Sequence, residues 1–316
     1  MTFWGKNHRT LSDHTPVLVR NRIIQGRFFV QFHTPVAADK QAFDRLCREV
    51  PRLAYEYQFS YLWLWKDTGE MSVCIEDDAI YMYSAKYKSF LEPIAEDMPE
   101  ALDKLHEFCK EQDMPCIIIS ATDDVVALVK DDPRYTLERT RDLDDYVYTS
   151  EKLISLSGKH LQAKRNHISQ FERDYSFTFK PITKADIEEC LELDAQWNAE
   201  HDSPEVQAER SAIETAFRDW DLLNLLGAVI RIDGKVEAFT VGEIVSPELA
   251  IIHFEKGNTD FHGIYPTINR LFCATYLSQV TYVNRQEDMG LESLRKAKQS
   301  YHPALMVEKY TVERIC

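Results

Sequence analysis

The stretch YVNRQEDMGLESLRKAKQSYHP, residues 282–303, decides how the fold of this chain is interpreted. It begins as a short strand-like segment, passes into a helical one, and places Arg285, Arg295 and Lys298 close together in the sequence. The chain as a whole is acidic, with a formal net charge of -15 over 316 residues. An acidic protein repels polyphosphates except where a local basic patch holds them, so these three cations indicate a phosphate-bearing ligand.

Two features precede this stretch. Residues 249–255 form a predicted strand that ends at Glu255, and the loop of residues 257–263 leads through Gly263 into a predicted helix. A strand that passes through a glycine turn into a helix presents free N–H groups and the positive end of the helix dipole, which together bind phosphate. The same pattern also fits an ordinary connector, because strand, loop and helix with one glycine is a common arrangement.

The hydrophobic pattern predicts an α/β protein, since helices alternate with apolar strands. A helix is expected from Pro99, and a capping box at Thr183 and Asp186 and a proline at Pro204 predict the starts of two more. Asp233 followed by Gly234 predicts a hairpin turn. The other predicted elements are strands at residues 61–65, 71–75, 80–83, 116–119 and 306–315 and a helix at 123–130.

The length and the 44% hydrophobic content allow two domains, which we expect at residues 1–150 and 151–316. A basic helix over residues 151–172 is predicted to link them, and it carries Lys159, Lys164 and Arg165. These side chains either converge on the ligand or keep the helix solvated.

Several classes of protein are disfavoured. The seven cysteines are odd in number and contain no Cys-x-x-Cys pair, and the histidines lack ligand spacing, so we expect neither a disulfide framework nor a metal. No Gly-x-Ser-x-Gly or Walker sequence is present, which excludes typical serine hydrolases and P-loop ATPases. The chain has no signal-like N-terminus and no apolar run of about 20 residues, so we expect no transmembrane segment and a cytoplasmic protein. Its charge disfavours DNA.

The segments HFEKGN (residues 253–258), LSGKHLQAKRNHISQF (156–171), YVNRQEDMGLESLRKAKQSYHP and EKY (308–310) resemble the family of the C-terminal domain of phosphatidylglycerol lysyltransferases. The resemblance covers most of the chain. It implies two domains of the GNAT-type N-acetyltransferase fold, each with a mixed central sheet flanked by helices, and a relationship to Fem-type transferases that use aminoacyl-tRNA.

The resemblance also assigns roles to the loop and its surroundings. Residues 249–255 resemble the strand that binds the pantetheine of coenzyme A, and the loop from Asp260 to Gly263 resembles the pyrophosphate loop. This loop departs from the usual Arg/Gln-x-x-Gly-x-Gly/Ala pattern, so phosphate binding is expected to shift to side chains. Arg285, Arg295 and Lys298 are the candidates, and a solvated basic face is the alternative. Asn284 either orients Arg285 or caps the next helix.

Acyl transfer needs a base for the nucleophile and an acid for the leaving group. Glu255 is the candidate base, and the alternative is a strand-end carboxylate paired with Lys256. Tyr301 is the candidate acid, and packing at the end of a helix is the alternative.

The leading hypothesis is therefore a soluble acyltransferase or aminoacyltransferase that uses a coenzyme A thioester or aminoacyl-tRNA. The acidic charge favours coenzyme A, and the family favours tRNA as a partner. A small molecule, a peptide or a lipid headgroup would be the acceptor, through an amine or a hydroxyl. Two alternatives stay open: a non-catalytic module of the same fold that binds a nucleotide or coenzyme A, and a basic surface that binds an acidic partner protein.

Overall fold

The computed structural model describes residues 31–199 and 203–315 of the chain. Ten α-helices lie in these residues: α1 (Lys40–Glu49), α2 (Phe59–Trp65), α3 (Met98–Glu111), α4 (Asp123–Val129), α5 (Ser150–Ser155), α6 (Gln162–Asp174), α7 (Ile187–Ala199), α8 (Pro204–Arg218), α9 (Ile264–Tyr276) and α10 (Glu292–Gln299).

Fourteen strands lie in the same residues: β1 (Met71–Ile75), β2 (Ala79–Ser84), β3 (Ser89–Leu91), β4 (Ile94–Ala95), β5 (Ile117–Ala121), β6 (Tyr135–Arg139), β7 (Asp145–Thr149), β8 (Phe177–Pro181), β9 (Leu226–Ile232), β10 (Lys235–Ile244), β11 (Leu249–Gly257), β12 (Tyr282–Asn284), β13 (Leu305–Val307) and β14 (Tyr310–Arg314).

The first sheet has the order β1-β2-β3-β5-β14-β6, and β4 pairs with β2. Strands β3 and β5 are parallel, and the other neighbours are antiparallel. Helix α3 is capped at its N-terminus by Asp97, whose side chain accepts a hydrogen bond from the Glu100 N–H at 3.0 Å. Its apolar face, with Leu102 and Leu105, packs in the core of this sheet.

The second sheet has the order β13-β7-β12-β11-β10-β9-β8. Only the pair β11 and β12 is parallel among these neighbours. Helix α9 packs on β9, β10 and β11 and contacts α5 and α6. Both sheets are mixed and flanked by helices, so the predicted fold class is confirmed.

The two sheets exchange strands along the chain. Strand β7 precedes residue 150 but belongs to the second sheet, whereas β14, at the end of the chain, lies between β5 and β6 in the first. The predicted domain boundary at residues 150 and 151 therefore does not coincide with the division between the sheets, and as a statement about domains it stays a prediction.

Lys309 lies between β13 and β14, where the chain passes from one sheet to the other. Its buried ammonium group pairs with Glu56 and lies 3.4 Å from an Asp145 carboxylate oxygen. Burial raises the pKa of Asp145 to about 7, although Lys309 opposes the shift. The crossover between the sheets is therefore fixed by a buried cation that holds two acidic groups.

One apolar core joins the N-terminal helices to the second half of the chain. Phe43 of α1 and Leu62 of α2 belong to the same buried cluster as Ile213 of α8 and Phe239 of β10. Trp63 adds a polar contact, since its indole N–H donates to an Asp219 carboxylate oxygen at 2.7 Å.

Most predicted elements are confirmed. The helix at Pro99, the capping box of Thr183 with Asp186, the helix at Pro204 and the hairpin at Asp233–Gly234 are all present. The predicted strand at residues 61–65 is wrong, because these residues lie in helix α2. Their aromatic side chains favour a strand, but packing outweighs this preference. Phe59, Leu62 and Leu64 are buried in the shared core when the segment is helical.

Two further predictions are wrong in detail. The single basic helix of residues 151–172 is broken into α5, a short turn at 159–161 and α6, because Leu156 and Gly158 have φ angles of 48° and 90°. Left-handed residues cannot continue a right-handed helix. The single final strand of residues 306–315 is two strands, β13 and β14, in different sheets.

Candidate active site

Strands β11 and β12 run side by side for only three residue pairs. Leu249 pairs with Tyr282, and the pairing ends where Ile251 meets Asn284. Beyond this point β11 continues to Gly257, whereas β12 ends at Asn284. Glu255 lies on the unpaired part of β11, and Arg285 follows β12 directly. The end of the parallel pairing thus brings these two side chains to one place.

A bulge in β11 decides which face Glu255 uses. Val241 pairs with Phe254 and Gly242 pairs with Ile252, so His253 is the extra residue. His253 contacts Glu243 of β10, with 3.1 Å between Nε2 and Oε1. A bulge reverses the alternation of side chains beyond it, and Glu255 accordingly faces α9 rather than sharing the His253 side.

Glu255 and Arg285 form a nearly buried ion pair. Arg285 Nη2 donates to Glu255 Oε1 at 2.8 Å, and the side chains are 12% and 10% exposed. Asn269 of α9 donates from Nδ2 to Glu255 Oε2 at 2.8 Å. Arg285 Nη1 is buried and has no hydrogen-bond partner among the described residues. A buried guanidinium group with an unused donor is suited to binding an anionic or carbonyl oxygen.

The surroundings of Arg285 keep it charged. Burial opposes its charge, but Glu255 outweighs burial, and the pKa of the guanidinium group lies above its usual range. The guanidinium carbon also lies 4.9 Å from the ring centroid of Tyr301 and 5.8 Å from that of Tyr148. Aromatic faces stabilise a cation that water does not reach.

Lys164 and Tyr301 complete this group. Lys164 Nζ lies 4.3 Å from the ring centroid of Tyr301. Burial lowers the pKa of Lys164, and Arg285 lowers it further while Glu255 opposes the shift. Burial also raises the pKa of Tyr301, so its hydroxyl stays protonated at neutral pH. Four predicted residues, Lys164, Glu255, Arg285 and Tyr301, therefore lie together and are called the β11–β12 site below.

Lys298 contacts the backbone that carries Arg285. Its buried ammonium group donates to the Arg285 carbonyl oxygen at 2.7 Å and to the Glu287 carbonyl oxygen. Burial lowers the pKa of Lys298 to about 8. Lys298 therefore fixes the backbone that carries Arg285, and its charge is directed at the protein's own carbonyl groups.

Arg295 and Asn284 also have protein partners. Arg295 donates from Nε and Nη2 to the Asp288 carboxylate, at 2.8 Å each, and pairs with Asp142. Asn284 Nδ2 donates to the Leu53 carbonyl oxygen at 2.7 Å and to Asp145 Oδ2 at 2.9 Å. The structure brings neither side chain into the β11–β12 site.

The loop before α9 is closed on one side. Gly263 has a φ of 91°, and a Cβ atom there would lie 2.5 Å from the His167 carbonyl oxygen of α6. The Ile264 N–H donates to Phe261, and Pro266 has no N–H, so the first turn of α9 offers few donors. Asp260 is exposed at the surface of this loop. Packing against α6 therefore accounts for the glycine.

The remaining basic candidates lie on the interrupted segment before α6. Arg165 Nη1 donates to the Gly158 carbonyl oxygen at 2.9 Å and to that of Leu156, and so stabilises the break between α5 and α6. Lys159 is exposed in the short turn. Neither residue contacts the four residues of the β11–β12 site in a hydrogen bond or ion pair that the described structure contains.

Sequence reasoning missed Tyr148 and Asn269 as members of the site. Asn269 is buried on α9 between Ile268 and Phe272. A polar residue on the apolar face of a helix is a signal, because a buried amide needs a partner. Tyr148 gives no such signal, since an aromatic residue in a strand is ordinary.

Replacing Gly263 by alanine should destabilise the protein by about 2–4 kcal/mol, because backbone strain adds to a clash with the α6 backbone. Gly158 is the matched control, since its φ is 90° and nothing lies near its missing Cβ atom. Gly158→Ala should cost only about 1 kcal/mol. Denaturant unfolding measures both, and equal costs would contradict the packing role of Gly263.

Within residues 31–199 and 203–315, no three His, Cys, Asp or Glu side chains are grouped to hold a metal ion. No helix of the same part of the chain has the length and apolar content needed to cross a membrane.

Comparison with known proteins relates this chain to one family. The family described as "Phosphatidylglycerol lysyltransferase, C-terminal" matches residues 47–313. A crystal structure of a conserved protein of unknown function from Bacteroides thetaiotaomicron VPI-5482 is 29% identical and covers 90% of this chain and 100% of its own, with a TM-score of 0.83.

More distant structures show the same fold. The C-terminal domain of a putative lysylphosphatidylglycerol synthetase from Agrobacterium fabrum is 14% identical, with a TM-score of 0.62 and coverage of 88% of this chain and 92% of that domain. The structure of L-PGS from Bacillus licheniformis has the same identity and TM-score, and covers 87% of this chain and 92% of its own.

One curated relative also matches. It is an uncharacterized protein from Mycoplasmoides gallisepticum, 27% identical over 178 residues, which are 54% of this chain and 56% of that protein. The match thus spans about half of that relative. Because the family match extends over most of the sequence, the chain belongs to the family of the C-terminal domain of phosphatidylglycerol lysyltransferases.

Proposed function

We propose that this protein transfers an acyl or aminoacyl group from a phosphate-rich carrier to an amine or a hydroxyl, and that the β11–β12 site carries out the transfer. Family membership and fold support transfer of this class. The observation that carries the proposal is the buried Arg285, which is held by Glu255 and keeps Nη1 without a partner in the described structure.

The site contains a group for each demand of the reaction. When a nucleophile attacks the acyl carbon, negative charge develops on the carbonyl oxygen, and a donor fixed beforehand stabilises it. Arg285 Nη1 is that donor, and the nearby Lys164 adds positive potential. Because Glu255 and the two tyrosine rings hold the guanidinium group, little reorganisation accompanies the reaction.

Proton transfer uses Glu255 and Tyr301. Each Glu255 oxygen accepts one hydrogen bond, from Arg285 or Asn269, and keeps a further lone pair. Glu255 can therefore accept the proton of the attacking amine or hydroxyl, directly or through one water. The raised pKa of Tyr301 keeps its hydroxyl protonated, which suits an acid that protonates the leaving oxygen or sulfur.

The start of α9 favours aminoacyl-tRNA over a coenzyme A thioester. A pyrophosphate loop needs free N–H groups and open space, whereas Gly263 is packed against α6 and Pro266 lacks an N–H. For an aminoacyl-tRNA only the charged 3′ end would have to enter the β11–β12 site. A lipid headgroup hydroxyl is the preferred acceptor, by analogy with the relatives named lysylphosphatidylglycerol synthetase.

A two-donor assay tests the proposal. The full chain is mixed with tRNA charged with labelled amino acids and with vesicles of phosphatidylglycerol or, as the control, phosphatidylcholine. We expect labelled lipid only with phosphatidylglycerol and only with protein present. In parallel, acetyl-coenzyme A and a panel of amines are assayed for release of free thiol, and little release is expected.

The outcomes separate the alternatives. Thiol release without labelled lipid would overturn the choice of donor. Binding of either donor with no product on any acceptor would contradict transfer and support a non-catalytic module of the same fold. Labelled product on a soluble amine rather than on lipid would retain the reaction and change the acceptor.

A further inference from the structure

Three segments of this acidic chain contain no Asp or Glu: residues 152–171, 261–286 and 293–307. They hold nine Lys and Arg, which gives them a net charge of +9. The other 255 residues therefore carry -24, because the whole chain carries -15. Positive charge concentrated in this way attracts an anionic partner where the segments meet at the surface.

The structure brings the three segments together along α6 and the turn before it. Helix α9 contacts both α5 and α6. His167 Nδ1 lies 2.8 Å from His262 Nε2, in the loop before α9. The ring centroid of His160 lies 5.1 Å from that of His302, which follows α10. Lys164, between His160 and His167 in sequence, contacts the Tyr301 ring. We call this surface the α6 face, and it consists of His160, Lys164 and His167 with His262, Tyr301 and His302.

The cations along this face have no acidic partner. Lys152, Lys159, Lys164 and Arg165 form no ion pair with Asp or Glu in the part of the chain that the structure describes. Lys152 Nζ instead donates to the backbone carbonyl oxygen of His302, at 2.5 Å. Positive charge that no carboxylate of the protein neutralises is available to an anion from outside.

The side chains of the α6 face favour a nucleic acid strand over a lipid surface. The imidazole rings of His160, His262 and His302 are exposed, and bases of a single strand stack on such rings while Lys and Arg hold its phosphates. A helix that enters a lipid surface instead presents large apolar side chains to it. Among the described residues, none of the exposed large hydrophobic side chains lies in the three segments.

We propose that the α6 face binds the single-stranded 3′ end of an RNA, with phosphates at the unpaired cations and bases against the exposed imidazole rings. The inference rests on the proposed function, because it names the surface on which the aminoacyl carrier lies. Lys164 and Tyr301 belong both to this face and to the β11–β12 site, and the Tyr301 ring centroid is 4.9 Å from the guanidinium carbon of Arg285. A strand bound along the face therefore ends beside Arg285.

Binding of an uncharged RNA tests the proposal without any transfer reaction. Fluorescence anisotropy is measured with the full chain and two labelled RNA hairpins, one with a single-stranded 3′ overhang and one with a blunt end. We expect the overhang hairpin to bind about tenfold more tightly, because one well-stacked base contributes about this factor. The logarithm of its binding constant should fall linearly with the logarithm of the salt concentration, by about 0.7 for each phosphate contact.

Variants separate the contributions of charge and of stacking. Lys152→Met combined with Lys159→Met should make the salt slope shallower by about 1.4, since two phosphate contacts are lost. His160→Ala should weaken the overhang hairpin about tenfold and leave the blunt hairpin unchanged. Lys130→Met is the matched control, because Lys130 is an exposed lysine after α4, outside the three segments, and its affinity and slope should be those of the unaltered protein.

Three results would overturn the proposal. One is equal binding of the overhang and blunt hairpins. Another is an unchanged salt slope in the double lysine variant, with circular dichroism showing that it is folded. The third is binding to phosphatidylglycerol vesicles but not to RNA, if the double lysine variant loses it, because the α6 face would then be a lipid surface. RNA binding of the expected kind without any transfer product would contradict the proposed function and leave this surface in place.

Discussion

Arg285→Lys should lower kcat/KM for the proposed transfer about 10²- to 10³-fold while the melting temperature stays close to that of the unaltered protein. Lysine keeps a positive charge opposite Glu255, so the buried carboxylate retains an ionic partner. Lysine has a single nitrogen, however, whereas the guanidinium group has donors at both Nη1 and Nη2. The Nη1 N–H that would meet the developing oxyanion is therefore lost. Removal of one such donor typically costs this much in rate.

The measurement combines steady-state kinetics with thermal unfolding. Lys296→Met is the matched control, since Lys296 is an exposed cation of α10 that pairs only with Glu292 among the ion pairs of the described residues. Its kcat/KM should be unchanged. A fall in rate for Arg285→Lys that only mirrors a loss of folded protein would contradict a role in the reaction, as would an equal fall in Lys296→Met.

Part of the site could be predicted from the order of the elements along the sequence. Glu255 lies near the end of β11 and Arg285 directly follows β12, and the structure brings the two side chains within 2.8 Å. Lys164 was one of three basic candidates on a single segment. Which of the three reaches the site depends on the break at Leu156 and Gly158, because that break sets the direction of α6.

Other candidates could not be sorted from the sequence because the pairing of their side chains depends on the fold. Arg295 pairs both with Asp288, seven residues earlier, and with Asp142, which lies 153 residues earlier. Lys298 donates to carbonyl groups, which every residue carries and no pattern identifies. A cluster of cations in a sequence therefore predicts a ligand only for those cations that have no acidic side chain or backbone carbonyl group of the protein as a partner.

The fold shows the same limit. Local signals such as the capping box at Thr183 and the turn at Asp233–Gly234 depend on residues close in sequence, and they predicted the elements that formed. The helix α2 and the separation of β13 from β14 depend on packing between the two halves, which local patterns do not contain.

A chain that ends after Val307 should fail to fold. The deletion removes β14, which lies between β5 and β6. Both of these strands lose their backbone pairing with β14 and are no longer joined to each other through it. It also removes Lys309, and the loss of one partner of a buried ion pair alone costs about 3–5 kcal/mol. Since whole proteins are stable by about 5–15 kcal/mol, the combined loss should leave little native protein.

Soluble yield, circular dichroism and limited proteolysis measure the effect, and two point variants divide it into parts. Lys309→Met should lose about 3–5 kcal/mol through the unpaired Glu56 and Asp145. Glu313→Gln, at an exposed position of β14, should be nearly neutral and serves as the control. A peptide of residues 308–316 added to the shortened chain should restore part of the native signal.

The opposite result would be equally informative. If the shortened chain melted near the temperature of the full chain, β14 would be an accessory strand and residues 1–150 would be free to fold as a separate domain. In the structure, β7 lies before residue 150 but is an interior strand of the second sheet, between β13 and β12. Each sheet therefore takes a strand from the other half of the chain, and we expect a single cooperative unfolding transition for the two.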